Sequence, residues 1–242
     1  MASQIWSNAK LLFGGYDMSG DVNALALKYG AEIKESTDFA SGGFRERLAG
    51  LKDVSFAHEG FWNGGVGNID DTLFADIALA SAPMTLAPSA GAEGDLAYTF
   101  KAIEAAYSPG AKIGDMLAFS VSGSGDGNLV RSTIVHNAAR VAGANGTIFN
   151  LGAVSATQKL YAALHIVAVS GPGPFQFNCK VQSAPTGGFA APVDRLIFAQ
   201  SAAIGAQWGV PVPGAIADAF WRIVYTLGNI TSVTFVVAIG IQ

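Results

Sequence analysis

Residues 22–33 have the sequence VNALALKYGAEI, in which apolar and other side chains alternate in steps of two. An extended chain places the odd-numbered residues from Leu25 to Ile33 on one face, and Lys28 and Glu32 on the other. Such a strand buries one face and leaves the other free for solvent or a partner. The same pattern recurs in residues 53–61, 96–106, 116–122 and 129–136. The first part of the chain is therefore predicted to be mainly β.

One segment departs from the period of two. Asn68 can cap a helix whose first turn holds Asp70 and Asp71, and acidic residues are favoured there by the helix dipole. Apolar residues then follow at helical spacing at positions 73, 74 and 77. We predict about three turns of helix flanking the first domain.

The second part of the chain contains another series of strands. The candidates are residues 160–169, 175–181, 195–198, 221–227 and 233–241, separated by Gly and Pro. Their β-branched and aromatic residues suit a small sandwich or jelly roll. Residues 1–144 hold 16 acidic and 10 basic side chains, a balance of −6, whereas residues 145–242 hold 2 and 4, a balance of +2. We therefore predict two β-sandwich-like domains, 1–144 and 145–242.

The composition restricts the possible functions. Half of the residues are hydrophobic and 13% are charged, against about 25% charged residues in an ordinary soluble domain. A surface this neutral is common where much of it is buried against partners, and it also fits a compact β protein. The chain has no run of basic residues, so binding of duplex nucleic acid is not expected. We expect no secretory signal in the opening MASQIWSNAK. We also expect no membrane helix, because no apolar stretch is long enough.

The segment 36–50, STDFASGGFRERLAG, differs from its neighbours. It is rich in Gly and Ser, carries the charged triplet 45–47, and lies between two predicted strands. Loops of this length in compact domains are usually functional or disordered. Because Phe39 and Phe44 would be costly to leave in water, we expect a binding loop.

A search for catalytic or metal-binding residues finds no constellation. His58, His136 and His165 each lie in a strand, far apart and without a second ligand at metal spacing. Residues 123–128, GSGDGN, resemble a phosphate-binding loop, but no Lys-Ser/Thr pair or helix follows, so a hairpin turn at Asp-Gly is expected. Cys179 lies in an apolar strand and is expected to be a buried, inert thiol. The expectation is a non-enzymatic protein without cofactor or metal.

Several segments resemble tail tube proteins of long-tailed bacteriophages. Residues 16–27, YDMSGDVNALAL, resemble the opening of that family. The resemblance continues in TDF (37–39), RLAGLKDVS (47–55), GFW (60–62), GD (114–115), SGSGDG (122–127) and LVR (129–131). The second half resembles a domain that some of these proteins append, through AVSATQKLYAALH (153–165) and FWRIVY (220–225).

The resemblance implies a structural virion protein located in the phage tail and assembled in the cytoplasm of the host bacterium. Proteins of this family are β-sandwiches that form hexameric rings, and the rings stack into a tube. The partners implied are copies of the chain itself, other tail proteins, and genomic DNA that passes through the lumen without specific binding; no membrane is implied. The appended domain would lie outside the tube.

The resemblance also implies which residues make contacts. The long loop of the family reaches the next ring, and here its place is taken by Asp38, Phe39, Phe44, Arg45, Glu46 and Arg47. A terminal arm assists, and its place is taken by Ile5 and Trp6. Independently of the resemblance, the aromatic side chains Trp208 and Trp221 of the outer domain are possible ligand contacts, with packing in the core or at an interface as the other interpretation.

Two further functions remain open from the sequence. A capsid decoration or fibre-like virion protein would share the β-rich composition but form trimers or monomers on a shell. A carbohydrate-binding module or adhesin would use Trp208 and Trp221.

Overall fold

The computed structural model describes residues 8–242, which form seventeen β-strands and one α-helix. In chain order these are β1 (Lys10–Phe13), β2 (Tyr16–Asp17), β3 (Val22–Glu35), β4 (Arg47–Phe61), α1 (Ile69–Asp76), β5 (Ala82–Ala87), β6 (Leu96–Gly110), β7 (Ala118–Gly125), β8 (Val130–Arg140), β9 (Ala144–Asn145), β10 (Phe149–Asn150), β11 (Lys159–Ser170), β12 (Gln176–Ala184), β13 (Val193–Ile197), β14 (Gly205–Trp208), β15 (Val212–Pro213), β16 (Phe220–Gly228) and β17 (Ser232–Ile241). The predicted all-β class, with one helix in the first part of the chain, is confirmed.

Two compact units are assembled from separate stretches of the chain. The core unit comprises the described residues up to Gly20, Ala82–Lys101 and Val130–Gln242. The hairpin unit comprises Asp21–Ser81 and Ala102–Leu129. The predicted division between residues 144 and 145 does not coincide with these units, because β8, which precedes it, pairs with β17, which follows it.

The core unit is a β-sandwich. One sheet has the strand order β14–β11–β17–β8–β6–β5–β1–β2, with residues 96–101 as its part of β6, and the other has the order β10–β16–β12–β13. Both sheets contribute to one apolar core, in which the rings of Phe177 and Phe235 lie 4.8 Å apart between centroids. Alternation in the strands explains the burial, since every second residue points into the space between the sheets.

Buried polar groups of the core unit are structural. His165 Nε2 lies 2.9 Å from Thr85 Oγ1, and burial lowers the pKa of His165 to about 3. His136 Nδ1 lies 2.9 Å from Glu93 Oε1, and burial lowers the pKa of this imidazole too. Cys179 is buried, which raises the pKa of its thiol, so the predicted burial of this cysteine is confirmed.

The hairpin unit is a single antiparallel sheet with the strand order β3–β4–β7–β6, in which residues 102–110 form its part of β6. Its buried face carries Val54, Phe56 and His58 from β4, and Phe119 and Val121 from β7. These residues alternate with exposed or half-buried ones, as expected for a sheet that is covered on one side.

Helix α1 begins after Asn68, as predicted, and its first turn holds Asp70 and Asp71. The Asn68 side chain does not cap the helix but donates to the carbonyl oxygen of Gly64 at 2.8 Å. The helix has eight residues rather than the predicted three turns, because the backbone leaves the helical region at Ile77 and Ala78 then adopts φ 57°.

The prediction of a hairpin turn at Asp126-Gly127 is wrong. Gly127 does occupy a turn with φ 99°. However, β7 before it pairs with β4 and β6, whereas β8 after it pairs with β6 and β17. The turn therefore carries the chain from the hairpin unit to the core unit instead of joining two paired strands.

Candidate interaction surface

Strands β3 and β4 form a hairpin that extends well past the rest of its sheet. They pair from Val22 opposite Gly60 to Glu35 opposite Arg47. β7 pairs with β4 only between Ser55 and Phe61. The distal part of the hairpin, residues 29–35 and 47–54, is thus a two-stranded ribbon on the order of 25 Å long. Such a ribbon is marginally stable on its own in water.

The apolar face of β3 continues into this ribbon. Leu25 and Leu27 are half-buried, as the alternation predicts, but Tyr29 and Ile33 are exposed. Leu48 and Leu51 on β4 are exposed as well. The prediction that this strand buries one face therefore holds only near the base of the hairpin, and the distal apolar side chains are uncovered in the single chain.

The loop at the tip comprises residues 36–46 and is ordered by local hydrogen bonds. The amide of Ser36 donates to the Glu46 carbonyl oxygen at 3.0 Å, and the amide of Ala40 donates to Asp38 Oδ1 at 2.8 Å. Ser41 Oγ also donates to Asp38 Oδ1, at 3.1 Å. Asp38, predicted as an interface residue, therefore holds the loop in shape, as aspartates often do in turns.

The loop and the first residue of β4 present two phenylalanines and two arginines to solvent. Phe39 is fully exposed and Phe44 is 78% exposed. Arg45 and Arg47 are exposed, and neither has an ion-pair partner within residues 8–242. The loop is shorter than the predicted segment 36–50, because the backbone of Arg47 already lies opposite that of Glu35 in the ladder of β3 and β4. The tip thus combines apolar area with two unpaired cations.

Large exposed apolar side chains are concentrated in the hairpin unit. Besides those of the hairpin, they are Phe61, Val66, Phe74, Leu79, Ile103, Ile113, Met116 and Leu117. The core unit, although larger, has only Val141, Ile148, Val193, Ile197, Ile204 and Val210 among the described residues. Contiguous exposed apolar surface marks sites of association, so the hairpin unit is the candidate interaction surface.

A hydrogen-bond network fastens α1 to the sheet of the hairpin unit. Asp70 Oδ1 accepts from Trp62 Nε1 at 2.8 Å and from the Tyr107 hydroxyl at 2.5 Å. These two bonds lower the pKa of Asp70. The sequence indicated only a dipole role for this aspartate, because its partners lie eight and 37 residues away.

His58 and Glu104 form a buried pair under the same sheet. Both side chains are inaccessible to solvent, and His58 Nε2 lies 3.7 Å from Glu104 Oε1, too far for a hydrogen bond. Burial raises the pKa of the Glu104 carboxyl. Within residues 8–242 no group of His, Cys, Asp and Glu side chains is placed to hold a metal ion, and no helix is long and apolar enough to cross a membrane.

The remaining predicted site residues have different outcomes. Ile5 and Trp6 lie outside the described residues. Trp208 is half-buried and packs on Tyr161, with ring centroids 6.1 Å apart. The prediction of Trp221 as a ligand contact is wrong, because its side chain is fully buried and its Nε1 donates to the Gly152 carbonyl oxygen at 2.8 Å.

Comparison with known proteins finds similar solved structures of low sequence identity. A chain of the virion of a native gene transfer agent has 13% identity and a TM-score of 0.44, covering 53% of this chain and 98% of that one. A chain of the sheath–tube complex of an extracellular contractile injection system has 11% identity and a TM-score of 0.44, covering 55% and 92%.

The Dit protein of SPP1, described as a hub of the adsorption apparatus of phages infecting Gram-positive bacteria, has 8% identity and a TM-score of 0.37. That match covers 97% of this chain and 99% of the Dit chain. No protein-family model matches the sequence, and no curated protein does.

Proposed function

We propose that this chain is a structural, non-enzymatic protein of a phage-type tail, and that hexameric rings of it stack into the tube that conducts the genome. The observation that carries the proposal is the distal part of the β3–β4 hairpin. It exposes Ile33, Phe39, Phe44, Leu48 and Leu51 on a ribbon that its own unit does not cover. Burial of one such side chain contributes about 1.5–3 kcal/mol, so contact with another subunit would stabilise the hairpin strongly.

The open edge of β3 supports a ring. Within residues 8–242 β3 pairs only with β4, so the backbone groups along its other edge are free to pair with a strand of another subunit. An unpaired edge of fourteen residues is an aggregation hazard unless something covers it. Continuation of the sheet from one subunit to the next would remove the edge and close a ring.

The face of this sheet opposite its core suits a lumen through which DNA passes. Near the base of the hairpin, small side chains make up most of it, namely Ala24, Ala26, Ser55, Ala57, Ser120, Ser122 and Ser124. Among its charged residues are Lys28, Asp53 and Glu59. Each neutralised phosphate adds affinity for DNA, so a face with little positive charge would let DNA slide. The other tail proteins and the virion location belong to the same proposal.

The two arginines of the tip give the stacking contact its direction. A guanidinium group can bind a carboxylate through two parallel hydrogen bonds, which fixes the orientation of the partners. Arg45 and Arg47 are exposed and without ion pairs within the described part of the chain, and carboxylates of the neighbouring ring would satisfy them. A decoration protein would form trimers or monomers instead, and an adhesin would keep only Trp208 of its two predicted contacts.

The proposal is tested with the double variant Phe44→Ala, Arg47→Ala. We expect it to fold normally, because both side chains are exposed, and to lose ring stacking, because six copies per ring multiply the loss per subunit. The measurements are the melting temperature of the unassembled protein and electron microscopy under conditions in which the wild type forms tubes. Arg131→Ala with Val210→Ala, which removes an exposed arginine and an exposed valine from the core unit, is the matched control and should stack normally. Normal tubes from the hairpin variant would contradict the docking role.

A further inference from the structure

The sequence contains two Asn-Gly pairs, at residues 63–64 and 145–146. Asparagine followed by glycine is prone to spontaneous deamidation, because glycine has no side chain to obstruct attack by its backbone nitrogen on the preceding side-chain amide. Both asparagines are exposed. The two pairs therefore look equivalent in the sequence, and a difference between them must come from the fold.

The first pair lies in the loop between β4 and α1. Glycine also occupies positions 65 and 67 of this loop, which gives its backbone more freedom than other residues would. Within residues 8–242 the amide of Gly64 donates to no hydrogen-bond acceptor. The nitrogen that would attack is therefore not held in a ladder or a turn.

The Asn68 side chain contacts both residues of the first pair. Its Nδ2 donates to Asn63 Oδ1 at 3.3 Å and to the Gly64 carbonyl oxygen at 2.8 Å. The donor to Asn63 Oδ1 withdraws electron density from the amide carbon. It also lies where negative charge develops on the oxygen when a nucleophile adds to that carbon.

The second pair is held in a strand. Asn145 belongs to β9 and lies opposite Val224 of β16. The amide of Gly146 donates to the Ile223 carbonyl oxygen at 2.8 Å, and a Cβ atom at position 146 would lie 2.7 Å from the Ile223 side chain. Attack by the Gly146 nitrogen requires this bond to break, so Asn145 reacts only in molecules in which β9 has opened locally.

We propose that Asn63 is a site of spontaneous deamidation in the folded protein, with water as the co-reactant, and that the fold protects Asn145. The Gly64 nitrogen gives its proton to solvent and bonds to Asn63 Cγ. The bond from Cγ to Nδ2 breaks, and that nitrogen leaves as ammonia. Water then opens the succinimide ring at either carbonyl carbon, which yields aspartate or isoaspartate.

The products alter the contacts between this loop and α1. The amide of Asp70 donates to the Asn63 carbonyl oxygen at 3.3 Å, and Trp62 Nε1 donates to Asp70 Oδ1 at 2.8 Å. Isoaspartate adds one atom to the main chain between Trp62 and Gly64, so these two contacts cannot both keep their geometry. The reaction thus couples the age of the protein to the attachment of α1, whether or not the chain forms a tube.

The test compares the two pairs within one protein. The full chain is incubated at mildly alkaline pH, folded or in denaturant, then digested and analysed by mass spectrometry, with isoaspartate measured by methyltransferase labelling. In denaturant the two asparagines should react at similar rates, because the fold no longer separates them. In the folded protein Asn63 should react at least about tenfold faster, because reaction at Asn145 waits for local opening. Similar rates in the folded protein, or faster reaction at Asn145, would overturn the proposal.

Asn63→Gln is the matched variant, because glutamine keeps the amide but cyclises slowly through a larger ring. It should lose the acid and isoaspartate products in the peptide that contains residue 63 and leave the rate at Asn145 unchanged. Isoaspartate that persists in this peptide would assign the reaction to Asn68 and overturn the site. The melting temperature should fall with incubation in the wild type and stay constant in the variant. A wild type that melts unchanged after deamidation would overturn the coupling to α1.

Discussion

At the scale of single residues, the carboxyl of Glu104 in the hairpin unit lies in an unfavourable environment. Its carboxyl is fully buried and has no hydrogen-bond partner, and burial raises its pKa. Two neighbours act on this pKa: His58, at 3.7 Å, lowers it, whereas Asp76, at the end of α1, raises it further. Leaving a buried polar group unsatisfied costs about 1–3 kcal/mol.

We predict that Glu104→Gln stabilises the protein above about pH 5. A carboxyl whose pKa is raised on folding contributes stability below its ordinary unfolded pKa of 4.5, and that stability is lost as the pH rises through the folded pKa. The glutamine keeps the shape and removes this loss, so the difference in melting temperature should grow from pH 4 to pH 8. Glu59→Gln, at an exposed position of β4, should change little. A glutamine variant less stable than the wild type at pH 7 would show that the ion pair with His58 dominates.

The sequence predicted which residues are buried better than it predicted which side chains bind ligands or form hydrogen bonds. Aromatic and β-branched residues recur in steps of two at positions 221, 223 and 225 of β16, and Trp221, Ile223 and Tyr225 are all buried. That periodicity was a signal that Trp221 faces the core rather than a ligand. No local signal marked the pairing of Asp70 with Trp62 and Tyr107, because it depends on how β6 is placed beside β4.

At the scale of elements, a close approach explains one glycine of β7. A Cβ atom on Gly123 would lie 2.4 Å from the Phe56 ring and 2.3 Å from the Ile103 carbonyl oxygen. The glycine therefore lets Phe56 of β4 lie flat against the neighbouring strand. The sequence run 123–128 resembled a phosphate loop, but this glycine serves packing.

We predict that Gly123→Ala destabilises the protein by about 1–3 kcal/mol, the usual cost of overpacking. Gly30→Ala is the matched control, because it also lies in a strand of the hairpin unit and a Cβ atom there meets nothing within 4 Å. The control should be neutral or slightly stabilising. Chemical denaturation of both variants provides the measurement, and equal stabilities would contradict this packing role.

Alternation identified strands β3 and β4 but not the extent of their burial. The same period of two continues from Leu25, which is half-buried, to Ile33, which is exposed. The pattern shows that one face of the strand is apolar. How far that face is buried depends on the positions of β7 and α1, which the pattern does not show. The apolar face beyond the cover is the part that another copy would bury.

At the scale of the whole molecule, the charge break near residue 144 does not separate the compact units. β8 pairs with β17 from Ser132 opposite Gly240 to Arg140 opposite Val233. Pairing between strands about 100 residues apart leaves no local trace in the sequence. The chain divides into two compact units that are formed from interleaved segments, and composition does not indicate that interleaving.

The most direct measurement is electron microscopy of the purified wild-type protein at high concentration and together with an initiating tail complex. We predict stacked rings of sixfold symmetry, in which the β3–β4 hairpin of each subunit contacts a subunit of the next ring. A protein that stays monomeric under all these conditions, or that forms only trimers, would contradict the central claim.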